Sequence, residues 1–347
     1  MPYKIPLNKS TLEKDDLDAA NEVLYSDRLT MGPLTERFEK EFAEYVGSKY
    51  AVFVNSGSSA NLLAVFAIKE FLGWKDFTWK VPALTWSTTI HPIIQAGGKP
   101  VFKDCHLDTF QTPDCDFAVH LLGNCEAPKN PILEDCCESL GVYYRDRHVG
   151  TFGLAGTFSF YFSHHITTIE GGMVVTDHYD FYQLLKSMRS HGWARSYPEK
   201  EIQEAFPGED ARFLMLSQGF NLRPTELNAA LGLSQLKKLE RLNERRRDIF
   251  THWGNSVMRI PPHVRAAPFA YPLKGLSLKA HLEANGIETR PLICGNLLLH
   301  PAFKSPDASK LVNATAVHNE YFYIGLSPML ADKDVEYVAE ILYTNPA

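Results

Sequence analysis

Residues 50–72 read YAVFVNSGSSANLLAVFAIKEFL, and this stretch decides how the chain folds. Its first six residues form a short apolar run rich in β-branched and aromatic side chains, the composition of a buried strand. Ser56-Gly57-Ser58-Ser59 breaks the run, and an apolar stretch of helical length follows over 61–72. A strand that turns sharply into a helix is the opening half of a βαβ unit. Working outward, strand-like runs recur at 79–84, 100–103, 117–122, 132–134, 157–162 and 173–176. Their alternation with helical stretches predicts an α/β domain with a mostly parallel central sheet. Two connections, 104–117 and 122–134, sit near the minimum of about a dozen residues for a parallel crossover. Their helices are expected to be reduced to coil.

Farther along, Leu236, Leu239 and Leu242 step by three along a predicted helix. Its exposed face is expected to carry Arg245, Arg246 and Arg247 as a solvated basic run. The C-terminal third reads as a smaller α+β unit. It closes on a helix with Asp332 as N-cap and Val335, Val338, Ala339 and Leu342 on one face. The expected division is a large domain over 1–240 and a small one over 241–347. With 347 residues, 45% hydrophobic and 22% charged, the chain can bury a sizeable core, which excludes disordered and fibrous classes. A net charge of −6 argues against nucleic acid or an anionic membrane as the main partner. No apolar run reaches the roughly 18 residues of a membrane helix, and MPYKIPLNKS lacks the apolar core of a signal peptide. Cysteines 105, 115, 125, 136, 137 and 294 form no C-x-x-C pair. They read as reduced thiols of a cytoplasmic protein that binds no metal.

Several residues could carry chemistry. The Ser-Gly-Ser-Ser turn is an anion cradle by construction: Gly57 allows a tight turn, and the amides of Ser58 and Ser59 point outward at a helix N-terminus. Asp135 ends the strand of PILED, where α/β sheets place ligand-binding groups, and a buried carboxylate there needs a cationic partner. A cap or turn aspartate is the alternative. Trp86, in PALTWSTT, is either a core aromatic or a flat platform for a ring. The adjacent pair His164-His165 is a poor metal motif, because neighbours on a strand point to opposite faces.

The ordered motifs FVNSGSSANLL, VPALTWSTT, ILEDCCESLG, GTFSFYFSHHITTIEGGMV and GFNLRPTELNAALGLSQL, between residues 5 and 343, resemble one known family. It is the nucleotide-sugar aminotransferase and dehydratase family of fold-type-I pyridoxal phosphate enzymes. The resemblance implies an aspartate-aminotransferase-like α/β fold with a smaller C-terminal α+β domain. It also implies pyridoxal 5′-phosphate or pyridoxamine 5′-phosphate as cofactor. Gly57, Ser58, Ser59 and Ser159 would then hold the phosphate, Trp86 would stack on the ring, and Asp135 would pair with the ring nitrogen. Asn221 resembles the asparagine that a second subunit lends to the phosphate, which implies a homodimer with shared active sites.

The chain departs from the aminotransferases of this family at one decisive place. Where they carry the cofactor-binding lysine in a pattern like S-K-N-[LI]-T-T-G-E-G-G, this chain reads Ser163-His164-His165-Ile166-Thr167-Thr168-Ile169-Glu170-Gly171-Gly172. No lysine occurs over 151–185 to take its place. A histidine here resembles the 3-dehydratases of 4-keto-6-deoxy nucleotide sugars. So do Glu138, where aminotransferases usually have Gln, and the stretch Arg290-Pro291-Leu292-Ile293-Cys294-Gly295-Asn296-Leu297. With Cys294 the only cysteine after Cys137, the four-cysteine iron–sulfur cluster of the CDP-sugar type cannot form in the usual way, and no iron–sulfur reductase is expected. What remains resembles the GDP-sugar type, which needs only the cofactor and L-glutamate. On this reading His164 is the base, poised near its ordinary pKa of about 6.5, and His191 assists or packs a helix end. Glu138 lies at the cofactor, and Arg223, Arg290 and Asn296 bind substrate. An aminotransferase and a non-catalytic cofactor-binding homologue are the alternatives.

Overall fold

The computed structural model describes residues 3–344. Five strands come first: β1 (Tyr50–Val54), β2 (Thr78–Pro82), β3 (Lys99–Lys103), β4 (Phe117–Val119) and β5 (Leu133–Asp135). The short hairpin β6 (Tyr143–Tyr144) and β7 (Arg147–His148) follows, then β8 (Ala155–Ser159) and β9 (Gly172–Thr176). Hydrogen-bonded neighbours run β1-β9-β8-β5-β4. The parallel pair β2–β3 continues this sheet beyond β4. There the Asp116 N–H donates to the Lys80 carbonyl at 2.9 Å, and the Asp116 carboxylate accepts from the Lys80 N–H at 2.7 Å. Strand β9 alone runs antiparallel to its neighbours, so the sheet is mostly parallel, as expected.

Both faces of this sheet are covered, which parallel sheets require. The alternation of β1 shows how. Val52 and Val54 join the core beneath the helix Gly57–Phe71, while Ala51 and Phe53 join Phe38 and Phe42 of the helix Pro33–Val46 on the opposite face. The two short connections are indeed coil. No helix lies between β3 and β4, and only one tight turn, Leu121–Gly123, lies between β4 and β5. That turn is clasped from outside: Ala267 N–H donates to the Gly123 carbonyl at 2.9 Å, and Phe269 N–H to that of Leu122 at 3.1 Å.

The C-terminal unit holds the antiparallel sheet β11 (Ala270–Lys274), β13 (Tyr321–Gly325) and β12 (Thr289–Pro291), in that order, while β10 (Val264–Arg265) pairs with β6. Its core gathers Ile249, Trp253, Tyr271, Phe322, Val335 and Val338, and Ile5 packs among them. The division at 240/241 remains a proposal; the segment around Ile5 runs along the C-terminal unit, with Ile5 bridged to Ile287. Three local expectations are corrected. Leu236 ends one helix (Glu226–Leu236) and Leu239 opens the next (Leu239–Trp253), so the step of three spans a break. Arg246 is buried rather than solvated, because its helix turns that position onto the sheet. Ala331 is the N-cap of the last helix, and Asp332 is its first residue. Among the described residues no helix is long and apolar enough to cross a membrane.

Gly123 sits at φ +70°, and a Cβ there would collide with the Ala267 carbonyl oxygen. Gly123→Ala is therefore expected to cost about 1–2 kcal/mol or more. The check is a lower urea midpoint at unchanged slope.

Candidate active site

The helix Gly57–Phe71 starts directly at the end of β1, with Ser56 as its N-cap. The Ser56 hydroxyl accepts from the Ser59 N–H at 3.0 Å, so the Ser59 amide is spent on the cap rather than pointing outward. Ser58 is exposed at the helix N-terminus, where the helix dipole favours an anion. Gly57 is needed for a different reason than the expected tight turn, since its φ is not in the left-handed region. A Cβ there would stand 2.6 Å from Cβ of Ser159 and 2.9 Å from its hydroxyl. The missing side chain lets the helix terminus lie directly on β8, bringing the Ser159 hydroxyl to the Ser-Gly-Ser-Ser turn.

Asp135 closes β5 at the C-terminal edge of the parallel strands and is 5% exposed. One carboxylate oxygen accepts from Asn61 Nδ2 at 2.7 Å and from the Thr89 hydroxyl at 3.1 Å; the other accepts from the Cys137 N–H at 3.1 Å. Asn61 is itself aimed by Thr157, whose hydroxyl donates to Asn61 Oδ1 at 2.6 Å. Every donor is neutral. The cation expected beside this carboxylate is absent among the described residues. Trp86 follows β2 at the same end of the sheet and is 57% exposed, which excludes the core-aromatic alternative.

His164 lies in the loop joining β8 to β9. Its Nδ1 is 2.6 Å from the Cys137 carbonyl; a carbonyl can only accept, so Nδ1 carries the proton and Nε2 has a free lone pair. Cys137 thus holds both key side chains, Asp135 through its N–H and His164 through its carbonyl. Burial pushes the His164 imidazole down to about 4, opposed by the Cys137 carbonyl and Asp135 and reinforced by Arg246. Burial therefore moves His164 below the ordinary value suggested by the sequence and favours its neutral form. His165 points into the core, Nε2 donating to the Ala267 carbonyl at 2.8 Å.

The other expected residues divide. Glu138 is partly buried and accepts from the Leu122 N–H at 2.9 Å. Burial raises its carboxyl to about 7, with the Leu122 N–H opposing and Asp135 adding to the rise. His191, at φ +67°, packs its ring on Trp193, and its N–H donates to the Phe220 carbonyl, next to Asn221. Asn221 is exposed, and its side-chain oxygen accepts from Arg223 Nε at 3.0 Å. No hydrogen bond or ring contact joins His191, Asn221 or Arg223 to His164 or Asp135 within the described residues of one chain. Arg290 is exposed on β12, opposite Tyr323 of β13. Asn296 is corrected: it is wholly buried, its oxygen accepting from the Leu298 N–H and its amide donating to Thr315 and Ala308. It braces the core and has no free group for a substrate.

Sequence reasoning missed Asn61, Thr89, the backbone of Cys137, and Arg246. Asn61 carried a readable signal, a lone amide in an apolar helix. Another buried group, His120, Glu134 and Cys136, lies on the far face of β5. Both Glu134 oxygens there are taken by His120 and by the N–H groups of Gly150, Phe152 and Gly153.

A buried carboxylate awaiting a cation, an exposed indole at the same sheet edge, and a serine-lined helix terminus fit a flat, cationic, phosphate-bearing ring. Fold and site together define a pyridoxal phosphate protein of the aspartate-aminotransferase type. The chain belongs to the DegT/DnrJ/EryC1/StrS aminotransferase family, whose profile matches residues 10–118 and 115–343. It is 38% identical to the GDP-4-keto-6-deoxy-D-mannose 3-dehydratase of Yersinia pseudotuberculosis, covering 84% of this chain and 85% of that one. It is 34% identical to the enzyme of the same name from Escherichia coli O55:H7, covering 97% and 99%. The solved structure of E. coli GDP-4-keto-6-deoxy-D-mannose-3-dehydratase with bound hydrated PLP superposes with a TM-score of 0.85 at 31% identity, covering 99% and 100%.

Replacing Asp135 with Asn puts an amide N–H₂ against the Cys137 N–H or against Asn61 and Thr89. It also removes the negative charge that would face a protonated ring nitrogen. Asp135→Asn should keep its far-ultraviolet dichroism but bind pyridoxal phosphate about tenfold or more weakly, for a loss of roughly 1.5–3 kcal/mol. An absorbance titration checks this.

Proposed function

We propose that this chain removes the C3 hydroxyl of a 4-keto-6-deoxy nucleotide sugar. The preferred substrate is GDP-4-keto-6-deoxy-D-mannose, and L-glutamate is the amino donor. The observation that carries the reading is His164: a neutral imidazole with free Nε2 stands where a cofactor-binding lysine would be expected. When bound, pyridoxamine phosphate supplies the amine that engages the C4 ketone and the electron sink that lets the C3 hydroxyl depart.

The chain's own residues then have separable tasks. Ser58, Ser59 and Ser159 bind phosphate at the helix terminus that Gly57 lets approach. Trp86 covers one face of the ring, and Asp135 stabilises a protonated ring nitrogen, a charge-assisted contact in a dry setting. His164 Nε2 takes a proton and returns it, with Nδ1–H anchored on Cys137 so the ring keeps its tautomer. Glu138, its carboxyl raised to about 7 by burial, is poised to hold or release a proton near neutrality at the cofactor's edge. With no lysine to hold the cofactor covalently, these contacts alone retain it.

The exposure of Asn221, and of Tyr161, Phe162, Phe213 and Met215, supports a homodimer in which Asn221 and Arg223 serve the partner's site. His191 lies on the same hydrogen-bonded segment and goes with them. Arg290 is the remaining candidate for a substrate anion.

Incubation with GDP-4-keto-6-deoxy-D-mannose and L-glutamate should release ammonia and give a product lacking the C3 oxygen, read by mass spectrometry. His164→Lys should abolish dehydration, and borohydride should fix the cofactor covalently at position 164 alone. Full dehydration by this variant would remove His164 as the base. Mixing inactive His164→Ala with inactive Asn221→Ala should restore part of the activity, because hybrid dimers regain one intact site.

A further inference from the structure

Arg246 is the largest buried charge that the mechanism leaves unused. It projects from the helix Leu239–Trp253 and is 1% exposed. Its neighbours are ordinary: Arg245 pairs with Asp332 and Arg247 lies 3.8 Å from Glu240. Arg246 has no carboxylate partner among the described residues. Its guanidinium instead donates to three backbone carbonyls, Leu326 at 2.9 Å, Phe269 at 3.3 Å and His164 at 3.3 Å, and its Nε has no partner. An uncompensated buried cation is costly, and carbonyl dipoles offset it only partly. An apolar side chain would fill the space at lower cost. What only a guanidinium does here is reach three segments at once and place positive charge beneath the base.

We propose that Arg246 is a positioning residue for proton transfer, tying the His164 loop to the C-terminal unit and fixing a guanidinium against the backbone of the base. The inference rests on the reading of His164 as base. The groups around that imidazole are few. Asp135, from the end of β5, favours the protonated ring, as does the Cys137 carbonyl from the turn after it. Arg246, from the helix, opposes it. Tyr161, at 6.0 Å between ring centres, and Phe269, at 5.2 Å, cover the ring faces, and His165 turns away to Ala267. Arg246 is the one positive charge in the set. It also fixes the Phe269 carbonyl, so the same side chain places both the charge and the aromatic cover.

The test is nuclear magnetic resonance titration of histidine-labelled protein without cofactor, the His164 signal being assigned by its loss in His164→Gln. In the wild type His164 should keep its proton on Nδ1 and stay neutral down to about pH 5. Arg246→Met should raise its midpoint, the direction expected for removing a nearby positive charge. Arg246→Lys should leave the midpoint near the wild-type value. The acid limb of the half-reaction with L-glutamate should move upward in Arg246→Met and in parallel with the midpoint. A wild-type His164 that titrates near 6.5, or carries its proton on Nε2, overturns the proposal, and this reading needs no folded Arg246→Met. An unchanged midpoint in folded Arg246→Met also overturns it. If the midpoint moves as expected while His164→Gln still dehydrates, the effect of Arg246 stands and the assignment of His164 as base falls.

Discussion

The Asp135 carboxylate is out of water and, among the described residues, receives hydrogen bonds only from Asn61, Thr89 and the Cys137 N–H. Three neutral donors lower the cost of burying one negative charge without cancelling it, and a cationic ring nitrogen would add the remaining compensation. Much of the architecture serves to keep those donors in place. Thr157 on β8 orients Asn61, Asn61 rides on the helix that Gly57 allows onto β8, and Thr89 belongs to the helix that Trp86 opens. The proposed phosphate cradle, ring platform and ring-nitrogen partner therefore share one scaffold. A shift of β8 against β5 would disturb all three.

Cys137 extends this constraint to His164, the proposed base. Its N–H is used by Asp135 and its carbonyl by His164, so one peptide segment sets the separation between electron sink and proton carrier. Such precision comes from backbone rather than side-chain chemistry, which suits a site with histidine at position 164 and no lysine over 151–185. It also makes the identity of residue 137 a poor guide to its importance.

That explains much of what could and could not be read in the sequence. The strands were legible because burial on both faces of a parallel sheet writes itself as short apolar runs. Asp135 and the Ser-Gly-Ser-Ser turn were legible because they end and follow such runs. Arg246 was not: Arg245, Arg246 and Arg247 are indistinguishable by composition, and only the helix phase, broken after Leu236, decides which one turns inward. Asn296 misled in the opposite sense, since a polar residue in a motif-like stretch reads as functional until its three hydrogen bonds are seen. The depressed pKa of His164 was equally out of reach, because burial by Phe269 and the charge on Arg246 both come from beyond residue 240 in the chain.

The trimmed crossovers belong to the same account. With no helix between β4 and β5, the turn Leu121–Gly123 adopts left-handed φ at Leu122 and Gly123, and residues 267–269 close over it. Neither contact is remote from the chemistry. The Leu122 N–H donates to Glu138, and Phe269 packs its ring on His164 while its carbonyl accepts from Arg246. The short connection thus sets one end of the candidate site against the C-terminal unit, where Leu122 contacts Glu138 and Phe269 contacts His164.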